Sequence, residues 1–253
     1  MNFPKILLTL LASCFLLFWI VALAQEAHPP HWSYEGREGP KYWGQLDPAY
    51  ATCASGRAQS PIDIKKAKLV GLPPLQFNYQ PVALNVINNG HTIQVNYPPG
   101  STLTVGDKTY TLKQFHFHHP SEEHIQGQGF DLVAHLVHDD GGGHLAVVAV
   151  LFQIGPPNAL LDAVWRNIPT QAEKATDVPS VSLNVKDLLP ANYAYYTFSG
   201  SLTTPPCSEG VTWYVLRNQS TLSADQVAAF AKFYPRNARP IQPRYGREIL
   251  ESQ

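Results

Sequence analysis

Three histidines fall within four positions of the stretch KQFHFHHP, residues 113–120: His116, His118 and His119. Alternate side chains of a β-strand share a face. His116 and His118 therefore point together with Gln114 beside them, while Phe115 and Phe117 point the other way, into a core. His119 breaks the alternation just before Pro120 and faces away or lies at the strand's end. The segment 131–138 carries Val133, His135 and Val137 on one face and His138 on the other. If it runs beside 110–118, His135 completes a triangle with His116 and His118. Three neutral imidazoles leave the fourth tetrahedral position of a zinc ion open for water, which marks a catalytic rather than a structural centre. By itself an H-x-H pair is more often partly exposed strand surface than a metal site. A third histidine on a neighbouring strand makes the two readings about even.

Strand signals dominate the elements that must position these residues. Short β-rich runs at 83–88, 91–97 and 102–104 are bounded by Asn-Asn-Gly and Pro-Pro-Gly turns, and 109–118, 131–138 and 145–154 follow. The run Asp139-Asp140-Gly141-Gly142-Gly143 is a hairpin turn, so the strands on either side of it should pair antiparallel. Further strands are expected at 195–199 and 211–216. Helices are few: Asn158 can cap ALLDAVWRNI, and Ser223 with Gln226 forms a capping box ahead of Val227, Phe230 and Phe233. No repeat and no long linker interrupts the chain, and its 22 prolines and 17 glycines favour many short elements. The expectation is a mainly β (α+β) fold. A single domain, residues 25–253, holds a large, mostly antiparallel central sheet with a few peripheral short helices.

The formal net charge is -1, and no run of Lys or Arg interleaves with aromatics, so a nucleic-acid partner is not expected. The N-terminus reads as an export signal, residues 1–24. Lys5 is followed by an apolar run from Ile6 to Val21 and by Ala22-Leu23-Ala24, an A-x-A cleavage site. The alternatives are an uncleaved membrane anchor or lipidation at Cys14, whose preceding Leu11-Ala12-Ser13 resembles a lipobox; against lipidation, the apolar run continues well past Cys14. With cleavage no stable membrane anchoring is expected, and the product is periplasmic or secreted. Two cysteines then remain, Cys53 and Cys207, most simply as one disulfide in an oxidising compartment. Two buried free thiols are the other reading.

The segments QFHFHHPSEEH, AHLVH, NNGHTIQV, QSPIDI and GSLTTPPCSEGVTWYVL, taken together, resemble an α-class carbonic anhydrase of bacterial, exported type. They occur in family order and span nearly all of the chain beyond the signal. The resemblance implies one Zn²⁺ per chain on His116, His118 and His135, and leaves His119, His138 and His144 structural or exposed. The implied activity is reversible hydration of carbon dioxide to bicarbonate and a proton, by attack of zinc-bound hydroxide on CO₂, with weak ester cleavage as a side reaction. It gives Thr203 and Glu122 the task of orienting the nucleophile, and His91 that of a proton shuttle. Tyr34, Asn89 and Gln94 match positions that order the connecting water. Val137, Val147, Leu202 and Trp213 match the apolar wall against which CO₂ rests, with Thr204 beside substrate or product. Gln114 matches the hydrogen-bond partner of His116, and Cys53 and Cys207 match the family's disulfide. A homodimer is an expectation of the resemblance alone.

One position departs from the pattern. The family supports its third histidine with a glutamate two residues earlier on the same face, and here that residue is Val133, which can accept nothing. Losing such a partner typically costs roughly 10- to 100-fold in metal affinity or activity. Zinc is therefore expected to bind but to be held less tightly, with Asp131 or a water as candidate substitutes.

Overall fold

The structure is a computed structural model that describes residues 30–253. The export signal at 1–24 and Cys14 lie outside the described residues. In chain order the first strands are β1 (Asp63–Ile64), β2 (Lys68–Val70), β3 (Leu75–Asn78), β4 (Val82–Asn88), β5 (Ile93–Asn96), β6 (Thr102–Val105), β7 (Lys108–His118) and β8 (His124–Ile125). They are followed by β9 (Leu132–Asp139), β10 (Leu145–Ile154), β11 (Thr176–Leu183), β12 (Tyr195–Ser201), β13 (Glu209–Leu216), β14 (Ser220–Leu222) and β15 (Leu250–Ser252). The helices are α1 (Trp43–Leu46), α2 (Thr52–Ser55), α3 (Ala159–Trp165) and α4 (Ala224–Ala231), with short 3₁₀ turns at Gly36–Glu38, Pro48–Tyr50 and Val185–Leu188.

One sheet runs in the order β11-β4-β5-β7-β9-β10-β13-β12-β15-β2. Its centre is antiparallel, as the turn chemistry requires. β9 and β10 form the expected hairpin through 139–143, with Val147 opposite Val137 and Ala149 opposite His135. β7 and β9 are antiparallel neighbours, with His116 directly opposite His135 and His118 opposite Val133. Parallel pairs, β10 with β13 and with β14 and β15 with β2, interrupt the pattern. They join segments far apart in sequence, which local periodicity does not report.

The central strands are buried on both faces. One face carries Leu112, Phe115, Phe117, Leu132, Ala134, Leu136, Val148 and Val150 into a core closed by Leu161 and Val164 of α3 and Phe230 of α4. The other carries Val133, Val147, Ala149, Leu151, Trp213 and Val215 into a second cluster with Ile62, Ile64 and Phe198. Each Phe or Leu fully buried in this way contributes roughly 1.5–3 kcal/mol relative to exposure. A histidine on such a strand therefore sits on a stiff support rather than on a loop.

Several boundaries differ from expectation. β5 starts at Ile93, not 91. The Asn89 side chain accepts from the N–H groups of His91 (3.0 Å) and Thr92 (2.9 Å), and this turn holds His91 outside the strand. Helix α3 stops at Trp165, short of the ALLDAVWRNI run. The capping box at Ser223 and Gln226 is present, but α4 ends at Ala231; Phe230 is buried and Phe233 lies past the helix, 46% exposed. The edge strand β11 was not anticipated, because its TDVPSVSL sequence has no clean alternation and contains Pro179; its register against β4 shifts between Val178 and Ser182.

His138, on the core face of β9, is fully buried. Its Nδ1–H donates to the Ala146 carbonyl (3.3 Å) and its Nε2 accepts from the Tyr79 hydroxyl (2.8 Å). Burial, only partly opposed by its backbone hydrogen bonds, pushes its pKa down to about 4. The folded chain thus refuses a proton that the unfolded chain binds at a pKa of about 6.5. Stability from this group is complete above about pH 6.5 and is lost as pH falls toward about 4, by about 3 kcal/mol. Denaturant titrations of the metal-free protein across that window should show a shallower pH slope for His138→Gln than for the parent; equal slopes overturn the assignment.

Candidate active site

The three strand histidines converge as face parity requires. His116, His118 and His135 each offer a ring nitrogen, and these atoms lie within 4.8 Å of one another. The rings meet edge-on or tilted, with centroids 4.7 to 5.4 Å apart. His118 and His135 are buried and His116 is half-buried, facing the open side.

The second nitrogen of every ring is already engaged. His116 Nδ1–H donates to Gln114 Oε1 (2.8 Å), and His118 Nδ1–H donates to the Asn237 carbonyl (2.7 Å). His135 Nε2–H donates to the Glu123 carboxylate, 3.0 Å from Oε1 and 3.2 Å from Oε2. What remains to face the centre is Nε2 of His116, Nε2 of His118 and Nδ1 of His135. His118 Nε2 is fully buried and has no hydrogen-bond partner. A buried nitrogen lone pair without a partner is costly. Three ring nitrogens converging, each with the other nitrogen of its ring already engaged, suit a metal that prefers neutral imidazole, and a zinc ion fits this donor set.

Electrostatics keep two of the rings neutral. Burial and the charge of His135 push His116 down to about 3, and burial with the charges of His135 and His116, against the Asn237 hydrogen bond, holds His118 well below the ordinary histidine value. His135 behaves differently. Burial opposes its protonation, but the charge and hydrogen bond of Glu123, with the charge of Glu122, raise its pKa overall.

Glu122 is 1% exposed. Its Oε1 accepts from the backbone N–H of Arg239 (2.7 Å), and its Oε2 faces His118 Nε2 at 3.6 Å and His135 Nδ1 at 3.9 Å. Burial raises its pKa to about 7, against the lowering effects of His135, the Arg239 N–H and the Thr203 hydroxyl. Thr203, 6% exposed, is thus within reach of this carboxyl, although Oε2 lacks a hydrogen bond of ordinary geometry. A dication in the pocket would favour the ionised carboxylate.

A cavity of about 140 Å³ opens from the histidines and is lined by Trp32, Tyr34, Asn89, His91, Gln94 and Thr204, among others. His91 stacks flat on Trp32, with centroids 3.7 Å apart and planes at 8°, and Tyr34 meets the same indole edge-on. Burial and the nearby His31 lower the His91 pKa, against the pull of Glu173. Asn89 Nδ2 donates to Gln94 Oε1 (3.4 Å). On the inner side Val147 and Trp213 belong to one apolar cluster, with Val137 and Leu202 packed against it, and the Trp213 ring lies 4.9 Å from that of His135. Cys53 and Cys207 form a disulfide across 154 residues and tie α2 to the loop that follows Thr203. Loop closure on that scale is worth about 5 kcal/mol in the chain-entropy account.

Three residues that shape the site were not anticipated. Asn237 is fully buried; besides receiving His118, it accepts from the His119 N–H (2.8 Å) and donates to the carbonyls of Phe117 and His91 (both 3.0 Å). Arg239 is 2% exposed and donates to Gln59 and to the Ser60 and Cys53 carbonyls. Both lie in an irregular C-terminal segment with no periodicity to read. The third is Glu123, where the only signal was a doubled acid after Pro120-Ser121. Asp131, one of the two candidate substitutes for the missing carboxylate, instead accepts from the Ile154 N–H (2.9 Å).

Comparison with known proteins agrees with this geometry. A family profile described as eukaryotic-type carbonic anhydrase matches residues 38–253. A carbonic anhydrase of Pectobacterium carotovorum is 47% identical over 221 residues, covering 87% of this chain and 90% of its own. One of Neisseria gonorrhoeae is 42% identical over 256 residues, covering 99% of both chains. Among solved structures, a hyperthermostable carbonic anhydrase from a hydrothermal vent chimney superposes with a TM-score of 0.85 at 43% identity, covering 88% of this chain and all of its own. The α-carbonic anhydrase of Thermovibrio ammonificans, in complex with sulfanilamide, gives 0.85 at 41% identity with the same coverage. The chain belongs to the eukaryotic-type (alpha) carbonic anhydrase family, whose reaction is the zinc-dependent hydration of carbon dioxide.

Proposed function

We propose that this chain carries out that reaction with one zinc ion held by His116 Nε2, His118 Nε2 and His135 Nδ1. The observation that carries the reading is that each ring's other nitrogen is spent on a protein acceptor, so the three left over converge within 4.8 Å. Bound there, zinc supplies a Lewis-acidic position that makes a water acidic near neutral pH, an effect for which carbonic anhydrase is itself the reference case.

The remaining work falls to the chain's own residues. Glu122, pinned by the Arg239 N–H, takes a proton-donating contact from the Thr203 hydroxyl. That leaves the threonine oxygen free to accept a hydrogen bond from the attacking oxygen and so to aim its lone pair. Val137, Val147, Leu202 and Trp213 form an apolar wall suited to a small uncharged substrate, with Thr204 at its edge. His91, in the cavity mouth with a lowered pKa, is neutral at physiological pH and can accept the proton that turnover releases, through water ordered by Tyr34, Asn89 and Gln94. The disulfide supports a location outside the reducing cytoplasm. Among the described residues no helix is long and apolar enough to cross a membrane. Export by the segment 1–24, to a periplasm or beyond, is part of the proposal.

Stopped-flow CO₂ hydration with residues 25–253 tests the whole reading. Activity should vanish on dialysis against a zinc chelator with the fold retained by circular dichroism, and should return with about one equivalent of zinc; folded, zinc-loaded protein without activity overturns it. His91→Ala should lower kcat in weakly buffering solution by roughly 100-fold, the low end of what a positioned proton-transfer side chain contributes. It should leave kcat/KM near the parent value, with added imidazole restoring the loss; an equal fall in both parameters removes His91 from proton transfer. Expressed with its leader in a bacterium, the full chain should yield a product that begins at Gln25. A product retaining residues 1–24, or one lipidated at Cys14, overturns the cleavage assignment.

A further inference from the structure

The carboxylate that supports the third histidine reaches it from an unexpected direction. Position 133, two residues before His135 on the same face of β9, is a valine with no exposed surface, packed in the apolar cluster with Ile62 and Val147. The imidazole's outer nitrogen would be orphaned there. Instead, Glu123, also without exposed surface, places both oxygens on His135 Nε2. It belongs to the turn that links β7 to β8, not to β9.

That turn is fastened on both sides of Glu123. Ser121 Oγ donates to the Glu123 carbonyl (2.9 Å) and accepts from the Phe130 N–H (2.8 Å), while the Ser121 N–H donates to the Phe130 carbonyl (3.0 Å). On the other side His124 pairs with Asp63 in the short parallel ladder of β8 and β1. A carboxylate held this firmly pays little entropy to meet its ring. The consecutive acids Glu122 and Glu123 thereby bracket one imidazole, Glu122 on the Nδ1 side and Glu123 on the Nε2 side.

We propose that Glu123 is the positioning residue of the metal centre: by accepting from Nε2–H it fixes His135 in the tautomer whose Nδ1 lone pair faces the ion, and so offsets the valine at 133. The proposal rests on the zinc reading above and deepens it. It also replaces the expectation of loosely held zinc, since His135 has its carboxylate after all, delivered by a loop.

The test is zinc transfer from loaded protein to an excess of a chromogenic chelator. Glu123→Gln keeps the side chain's shape and removes its charge, and Glu123→Leu removes the acceptor as well. Zinc release should accelerate by roughly 10-fold for the first and up to about 100-fold for the second. Asp131→Asn, whose parent carboxylate serves Ile154 and not His135, should release zinc at the parent rate. Parent-like release from both Glu123 variants, or equal acceleration in Asp131→Asn, overturns the proposal. Should the variants fail to fold, the ¹⁵N spectrum of the zinc-loaded parent decides: His135 must show a protonated Nε2, and a protonated Nδ1 overturns the assignment. A parent that binds no zinc fails the earlier reading and this one together. A parent that binds zinc, with release indifferent to Glu123, fails this one alone.

Discussion

A buried imidazole has two nitrogens, and each must be accounted for. Three imidazoles brought together under an apolar sheet therefore impose a strict bookkeeping on everything around them. Gln114, the Asn237 carbonyl and Glu123 each take one N–H, and the three lone pairs left over have nowhere to go but toward one another. The outer acceptors come from three different parts of the chain: a strand, the C-terminal segment and a loop.

The sheet supplies the stiffness that makes such accounting possible. β7 and β9 are packed on both faces, so the side chains between them cannot drift without opening voids on one side or the other. Around His118 and His135, each 1% exposed, the same close packing limits solvent to the cavity side. An unshielded pocket would satisfy stray nitrogens with solvent and lose its preference for an ion. Under the proposed function the apolar residues beside His135, Trp213 above all, would serve metal binding and substrate accommodation by the same physical means.

Charge is the second constraint. Glu122 and Glu123 are neighbours in sequence, both buried and both aimed at His135, and the buried Arg239 guanidinium interacts electrostatically with Glu122. Burying two acids together is unfavourable unless positive charge meets them. The raised pKa values of Glu122 and His135 express that tension in the metal-free chain. A dication held as proposed would relieve it, so the acids around His135 would also favour the ion electrostatically.

The histidine triangle was legible in the linear sequence because strand parity is a local rule. His116 and His118, two apart, share a face by parity, and His135 joins them on the single condition that its strand runs beside theirs, which the structure meets. The capping box at Ser223 and the hairpin between β9 and β10 were readable for the same reason: each depends on residues a few positions apart. The site roles of Thr203, Glu122 and His91 came only from resemblance, since a threonine, an acid and a turn histidine have no signature of their own. Tertiary structure alone decided the rest. Asn237 and Arg239 reach the site from over 100 residues away with no periodic pattern to announce them, and the parallel ladders of β10 with β13 and β15 with β2 are set by long-range packing. Read along β9, Val133 looked like a missing partner. Because hydrogen bonds are satisfied in space and not along the chain, the carboxylate could come from Glu123 instead.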